Sequence, residues 1–183
     1  MKILIASDIH GSAEYCEMLL KAYNAVKPDS ILQLGALLYH GPRNDLPHDY
    51  DTKRTMEILN SLKDDITAVR GNCDAEVDQM VLDFPIMNDY EQIEADGFRI
   101  FATHGHHYNP QTPPPFVRMD VLLNGHTHIP IIKRCDGFIY VNPGSVSIPK
   151  AGSDHSIAIF DRGVITLNRL SDLSEYDRID LGI

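Results

Sequence analysis

Residues 1–36 read MKILIASDIHGSAEYCEMLLKAYNAVKPDSILQLGA, and their order of elements decides the fold. Lys2 to Ala6 is an apolar run of strand length, followed at once by Asp8-Ile9-His10. From Ser12 to Val26 the apolar residues return at helical spacing, with Tyr15, Met18, Leu19, Ala22 and Val26 on one face. Ser30 to Leu34 is a second buried strand, and it ends on Gly35-Ala36. A strand–helix–strand unit of this kind predicts parallel strands. In open α/β sheets, sites gather beyond the carboxyl ends of such strands.

The same arrangement recurs further along the chain. A helix is expected over Thr52 to Leu62 and a third strand over Ile66 to Val69, the latter running into Gly71-Asn72-Cys73-Asp74. A strand at Phe98 to Thr103 precedes His104-Gly105-His106, and one at Val121 to Leu123 precedes Gly125-His126-Thr127-His128. Strands over Phe138 to Val141, Ser156 to Phe160 and Val164 to Asn168 follow, with turns at Gly137 and at Asp161-Arg162-Gly163; they are expected as hairpins or a second sheet. Tyr39 to Asp51 and Tyr108 to Phe116, rich in Gly, Pro and Asn, are expected as surface loops. Neither is long enough to link two domains, so residues 1–183 are expected to form one domain.

Five strand-end segments therefore carry metal-binding chemistry or its position. Asp8 and His10, two residues apart, would share one metal if extended backbone continues past the first strand. His126 and His128 repeat that spacing, although a turn there could divide them between two metals. His104 adds an imidazole and Asn72 a neutral oxygen. Mn²⁺, Fe²⁺ or Zn²⁺ accept mixed carboxylate, carbonyl and imidazole sites. Each segment alone has an ordinary reading as a cap or turn; all five in this order do not. Ala36 is the exception, because the set would be complete only with Asp there.

Composition narrows the class. The 183 residues carry 26 acidic against 16 basic side chains, a formal net charge of -10. That balance argues against a nucleic-acid duplex as partner but permits a small phosphorylated one, since bound cations reverse the local potential. Cys16, Cys73 and Cys135 form no CxxC pair, so reduced thiols and a cytoplasmic location are expected. The N-terminal apolar run is interrupted early by Asp8, which favours a strand over a signal peptide. No apolar run approaches the ~20 residues that span a bilayer.

The segments D-x-H, G-A in place of G-D, G-N-C-D, H-G-H and G-H-T-H resemble the signature of the calcineurin-like metallophosphoesterases. Residues 38–44 (LYHGPRN), 69–74 (VRGNCD) and 142–147 (NPGSVS) are similar to the small bacterial phosphodiesterases of the YfcE type. The resemblance covers almost the whole chain. It implies a four-layer α/β/β/α sandwich, two mixed sheets flanked by helices, with a dinuclear metal site at one end. It implies Asp8, His10 and His128 on one metal and Asn72, His104 and His126 on the other, with Mn most expected and Fe, Ni or Zn as alternatives. The family's bridging aspartate falls at Ala36. Many members have His where Cys73 stands, which makes Cys73 a packing residue or an outer neighbour of the ligands rather than a proton donor.

The implied reaction is hydrolysis of a small phosphodiester by water activated between two metals. Asp74 is expected to orient a ligand or the substrate, and Arg43 to bind phosphate oxygens through its planar fork. Asn142, Gly144 and Ser145 are expected to fix an imidazole or the phosphate. Losing the carboxylate at residue 36 predicts a weakened second metal and hydrolysis reduced by orders of magnitude. All other ligands are intact, which favours one isolated change, natural or engineered, over drift. The alternatives are a catalytically inactive scaffold, as in the retromer's metallophosphoesterase-like subunit, and a phosphomonoesterase. Similar small phosphodiesterases imply a homo-oligomer, dimer or tetramer.

Overall fold

The computed structural model describes residues 1–115 and 117–182. Of the expected loop over Tyr108 to Phe116, Phe116 lies outside the described residues. Strand β1 (Lys2–Ala6) leads through helix α1 (Ala13–Val26) to β2 (Ser30–Gln33), and α2 (Thr52–Asn60) leads on to β3 (Ile66–Ala68). Both pairings, β1 with β2 and β2 with β3, are parallel, as the opening stretch predicts. A short α3 (Glu76–Gln79) follows, then β4 (Tyr90–Ala95), β5 (Phe98–Thr103), β6 (Val121–Leu123), β7 (Ile131–Arg134), β8 (Ile139–Asn142), β9 (Ser156–Asp161), β10 (Val164–Arg169) and β11 (Glu175–Asp180).

These strands form two mixed sheets, in the orders β11-β10-β9-β1-β2-β3 and β4-β5-β6-β8-β7. In the first, β9, β10 and β11 return antiparallel beside β1. In the second, β5, β6 and β8 are parallel, and β4 and β7 are antiparallel edges. Alternation along each strand divides the core. Ile3, Ile5, Leu32, Leu34 and Phe160 face Ile100, Ala102, Val121, Leu123 and Val141 between the sheets, whereas Leu4, Ala6 and Ile31 face Cys16, Leu19, Ala22 and Leu59 of the helices. Burying apolar side chains on both faces is what makes β1 and β2 continuous apolar runs.

The helices keep to one side. On the outer face of the second sheet, Phe101, Leu122 and Tyr140 pack beneath Tyr108, Val117 and Met119 of the connection between β5 and β6. That layer is irregular chain among the described residues. None of the described helices is long and apolar enough to cross a membrane. The parallel strands of each sheet deliver their trailing loops to one end of the sandwich, and this is how segments far apart in sequence meet.

Candidate metal centre

Two sets of three donors converge at that end. In the first, the Nε2 atoms of His10 and His128 lie 3.4 and 3.2 Å from Asp8 Oδ1 and 3.3 Å from each other. All three residues are buried, and one ligand atom from each fits within 4.8 Å of the others, which suits a metal ion. In the second, Asn72 Oδ1 lies 2.8 Å from His104 Nε2 and 3.0 Å from His126 Nδ1, with those two nitrogens 3.3 Å apart. His126 and His128 are therefore divided between the two sets.

The outward-facing ring nitrogens fix what the inward-facing ones offer. His10 Nδ1 lies 2.8 Å from the Tyr39 carbonyl, His104 Nδ1 2.6 Å from that of Leu34, and His128 Nδ1 2.7 Å from that of Ile148. A carbonyl only accepts, so each Nδ1 carries the proton and each Nε2 turns a lone pair inward. Asp8 is arranged in the same sense. Its Oδ2 accepts from the Ser7 hydroxyl at 2.6 Å and the His126 N–H at 2.9 Å. Its Oδ1 is buried without a directed hydrogen bond among the described residues, although the two imidazoles stand at ion-pair distance. Lone pairs and a carboxylate oxygen converging without a proton between them are the donor set of a cation site, so these residues fit a divalent metal.

The electrostatics agree. Burial alone would raise the Asp8 carboxyl, but the imidazoles of His10 and His128, with His104 behind them, hold it well below the usual carboxylate range. Burial disfavours charge on His10, yet the adjacent Asp8 draws its pKa up. Burial, followed by the neighbouring His104, pushes His126 down to about 4, so its ring is neutral and free to coordinate near pH 7.

The local backbone is not the extended chain expected from the Asp-x-His spacing. Asp8, His10, Ala36, His126 and His128 all have left-handed φ, between 50° and 65°. Asp and His are enriched in that region among residues with a Cβ. Ala is not, and a left-handed L-residue costs about 1–2 kcal/mol. Ala36 keeps this conformation while fully buried. Its carbonyl accepts from His10 N–H at 2.9 Å, and a Cβ on Gly71 would touch its nitrogen at 2.3 Å. Residue 36 is thus bracketed by the backbone of His10, from the first set, and of Gly71, which immediately precedes Asn72 of the second.

Residues expected near the chemistry take different places. Asp74 is buried, and its carboxylate accepts from Ala36, Leu37 and Gly71 N–H at 2.8, 2.8 and 2.7 Å, so it faces backbone rather than the cleft. Asn142 donates to the Gly125 carbonyl at 2.7 Å and the Thr127 hydroxyl at 3.0 Å. Ser145 donates to the Asp8 carbonyl at 2.8 Å. A Cβ on Gly144, whose φ is 82°, would meet the Ser156 hydroxyl at 2.3 Å. Asn142, Gly144 and Ser145 therefore hold together the loops that carry Asp8 and His126. Cys73 is half-buried and its thiol is pushed up by burial and then by Asp74, which keeps it protonated.

A cleft of about 290 Å³ opens over both donor sets, lined by Asp8, His10, Asn72, His126 and His128 together with Arg43, Cys73, Thr127 and Lys150. Lys150 gives no signal in the sequence, because an isolated loop lysine has no motif. His106, beside His104 at a ring distance of 5.4 Å, was legible only as a second histidine in His-Gly-His. Burial and the surrounding imidazoles push it down to about 4, and its Nδ1 is buried without a hydrogen-bond partner among the described residues.

Comparison with known proteins gives a consistent result. Residues 1–163 match the model of the calcineurin-like phosphoesterase superfamily domain. The chain is 42% identical over 174 residues to phosphodiesterase YfcE of Escherichia coli K12, covering 95% of each. The solved structure of that E. coli phosphoesterase superposes with a TM-score of 0.95 at 41% identity, covering 99% of this chain and 100% of that one. Wild-type Vps29 of Entamoeba histolytica, complexed with zinc, superposes with a TM-score of 0.66 over 99% of each chain at 24% identity, a likeness of fold alone.

Proposed function

The chain belongs to the calcineurin-like phosphoesterase superfamily, and on that premise we propose that it is a metal-dependent phosphodiesterase whose turnover is held down by Ala36. The observation that carries this reading is the pair of adjacent donor sets, in which the Nε2 atoms of His10, His104 and His128 turn lone pairs inward. Asp8, His10 and His128 would hold one divalent cation and Asn72, His104 and His126 the other, with Mn²⁺ first and Fe²⁺, Ni²⁺ or Zn²⁺ as alternatives for the same donors. When bound, two such ions supply Lewis acidity and an activated water for attack at phosphorus.

The chain's own residues then have distinct tasks. The carbonyls of Tyr39, Leu34 and Ile148 hold three imidazoles in the coordinating tautomer. Arg43, in the cleft lining, binds phosphoryl oxygens and offsets charge that grows during attack. Asp74 is a positioning residue, because it fixes residues 36, 37 and 71 through backbone N–H groups. Cys73 stays a neutral thiol, so no imidazole at that position protonates the leaving group. This favours diesters of acidic alcohols, which leave with little help from an acid.

Ala36 supplies neither ligand nor charge. Divalent ions held by two adjacent donor sets would repel each other even at an effective dielectric constant of ~20, and a carboxylate at residue 36 would offset part of that repulsion. The left-handed backbone retained at residue 36 supports the view that the position is shaped for Asp. Ala36→Asp is expected to raise Mn²⁺-dependent hydrolysis of bis(p-nitrophenyl) phosphate by roughly two orders of magnitude, about 2.7 kcal/mol of barrier. If the variant hydrolyses the diester no faster than the present chain, the role given to residue 36 is wrong.

A further inference from the structure

Resting on the phosphodiesterase reading, we propose that Lys150 is a second phosphate-binding residue which, with Arg43, clasps the substrate's phosphoryl oxygens, so that affinity rises with the negative charge of the phosphate. Both side chains line the cleft, from different loops. Arg43 belongs to the turn at 41–44, which Asn44 N–H closes on the Gly41 carbonyl at 3.3 Å, and it lines the cleft together with Asn72 and Cys73. Lys150 is tied to the first set, because its N–H donates to the His128 carbonyl at 3.1 Å.

The root of Lys150 is held while its ammonium pairs with no carboxylate among the described residues. Its carbonyl accepts from Ser153 N–H at 3.1 Å and from the Ser153 hydroxyl at 2.7 Å, closing a turn through Ala151 and Gly152, both at positive φ. The side chain itself is exposed. Neither Lys150 nor Arg43 forms an ion pair with a carboxylate among the described residues, in a chain with ten more acids than bases. Asp8 is the cleft's single acidic lining residue among those described, and its charge is directed to His10 and His128. Two cations left unneutralised over one cleft leave an anion as the group that completes them.

Lysine at this place acts as a point charge rather than a fork. Its contribution should therefore follow the ligand's charge more than its shape. Inorganic phosphate, largely a dianion at pH 7.5, should depend on it more than diphenyl phosphate, a monoanion.

The test is titration calorimetry of the full chain saturated with Mn²⁺, with inorganic phosphate and diphenyl phosphate as probes. Turnover limited by Ala36 allows the diester to be measured at equilibrium. Lys150→Met is expected to weaken phosphate about tenfold and diphenyl phosphate about threefold, in the range of an exposed charge-assisted contact. Lys150→Arg should restore both to within about twofold, and Mn²⁺ affinity without phosphate should not change. Lys21→Met, on the exposed face of α1, removes the same charge and should leave both affinities at the native value. The proposal is overturned if Lys150→Met binds both probes as the native chain does, if Lys21→Met reproduces the loss, or if Mn²⁺ affinity falls in parallel. Native chain that binds neither probe would remove the phosphodiesterase reading along with it; native binding untouched by Lys150→Met removes this proposal alone.

Discussion

Replacing Asp74 by Asn should destabilise the protein by about 3 kcal/mol, although the change is nearly isosteric. Asp74 Oδ2 accepts from both Ala36 and Gly71, and Oδ1 accepts from Leu37. Asn can keep its oxygen at the doubly used position, and its NH₂ then faces the Leu37 N–H, donor against donor. One hydrogen bond to a charged group is lost, worth about 1.5–3 kcal/mol, and two others fall to roughly half strength as the acceptor becomes neutral. Some of that cost is recovered by small movements of the loops, which leaves about 3 kcal/mol. For a chain of this size the loss corresponds to a fall in Tm of about 6–12 °C. Thermal and urea unfolding followed by circular dichroism measure it. A change below about 1 kcal/mol would refute the reasoning, because it would mean that the three backbone donors find equal partners without the carboxylate.

Two further perturbations follow from particular contacts. A Cβ on Gly125 would stand 1.8 Å from the Ser7 hydroxyl oxygen and 2.7 Å from Asp8 Oδ2. Gly125→Ala should therefore displace Asp8 and abolish tight Mn²⁺ binding at the first donor set; a calorimetric titration with native affinity would contradict this. Cys16, buried against the helical side of the core, has its thiol pushed up to about 12 by burial. Its folded pKa lies above the unfolded one, so its contribution is fully present below pH ~9 and is lost as pH rises towards about 12, at up to ~1.4 kcal/mol per pH unit. The native chain should lose stability across that window faster than Cys16→Ala, and parallel urea midpoints from pH 9 to 11 would count against it.

The central strands and both long helices were legible because burial writes a continuous or periodic apolar pattern. The three strands that the sequence did not signal, β4, β7 and β11, are all sheet edges. Glu175–Asp180 reads EYDRID and Ile131–Arg134 reads IIKR, and Tyr90–Ala95 interleaves Glu and Gln. Charge on an edge blocks pairing with other chains and also erases the strand signal. At the site, the meeting of Asp8, His10, Asn72, His104, His126 and His128 could be read because each follows a strand that ends at the same end of the sandwich. The backbone that aims them could not, since the turns at Asp8, His10, His126 and His128 are left-handed rather than extended. Asn142 and Ser145 reach backbone groups 17 and 137 residues away, and two of the three Asp74 partners, Ala36 and Leu37, lie 38 and 37 residues away; only Gly71 sits in the same short motif, so the motifs carry little trace of these roles. Lys150 was missed for the same reason, because only the fold brings it to His128.

The central claim is that two donor sets hold two divalent ions and that Ala36 weakens the pairing between them. Counting Mn²⁺ bound per chain by calorimetry, for the present chain and for Ala36→Asp, tests it most directly. One tight ion in the present chain, with a second at least about a hundredfold weaker, and two tight ions in Ala36→Asp is the expected result. Two equally tight ions in both proteins, or none in either, would contradict it.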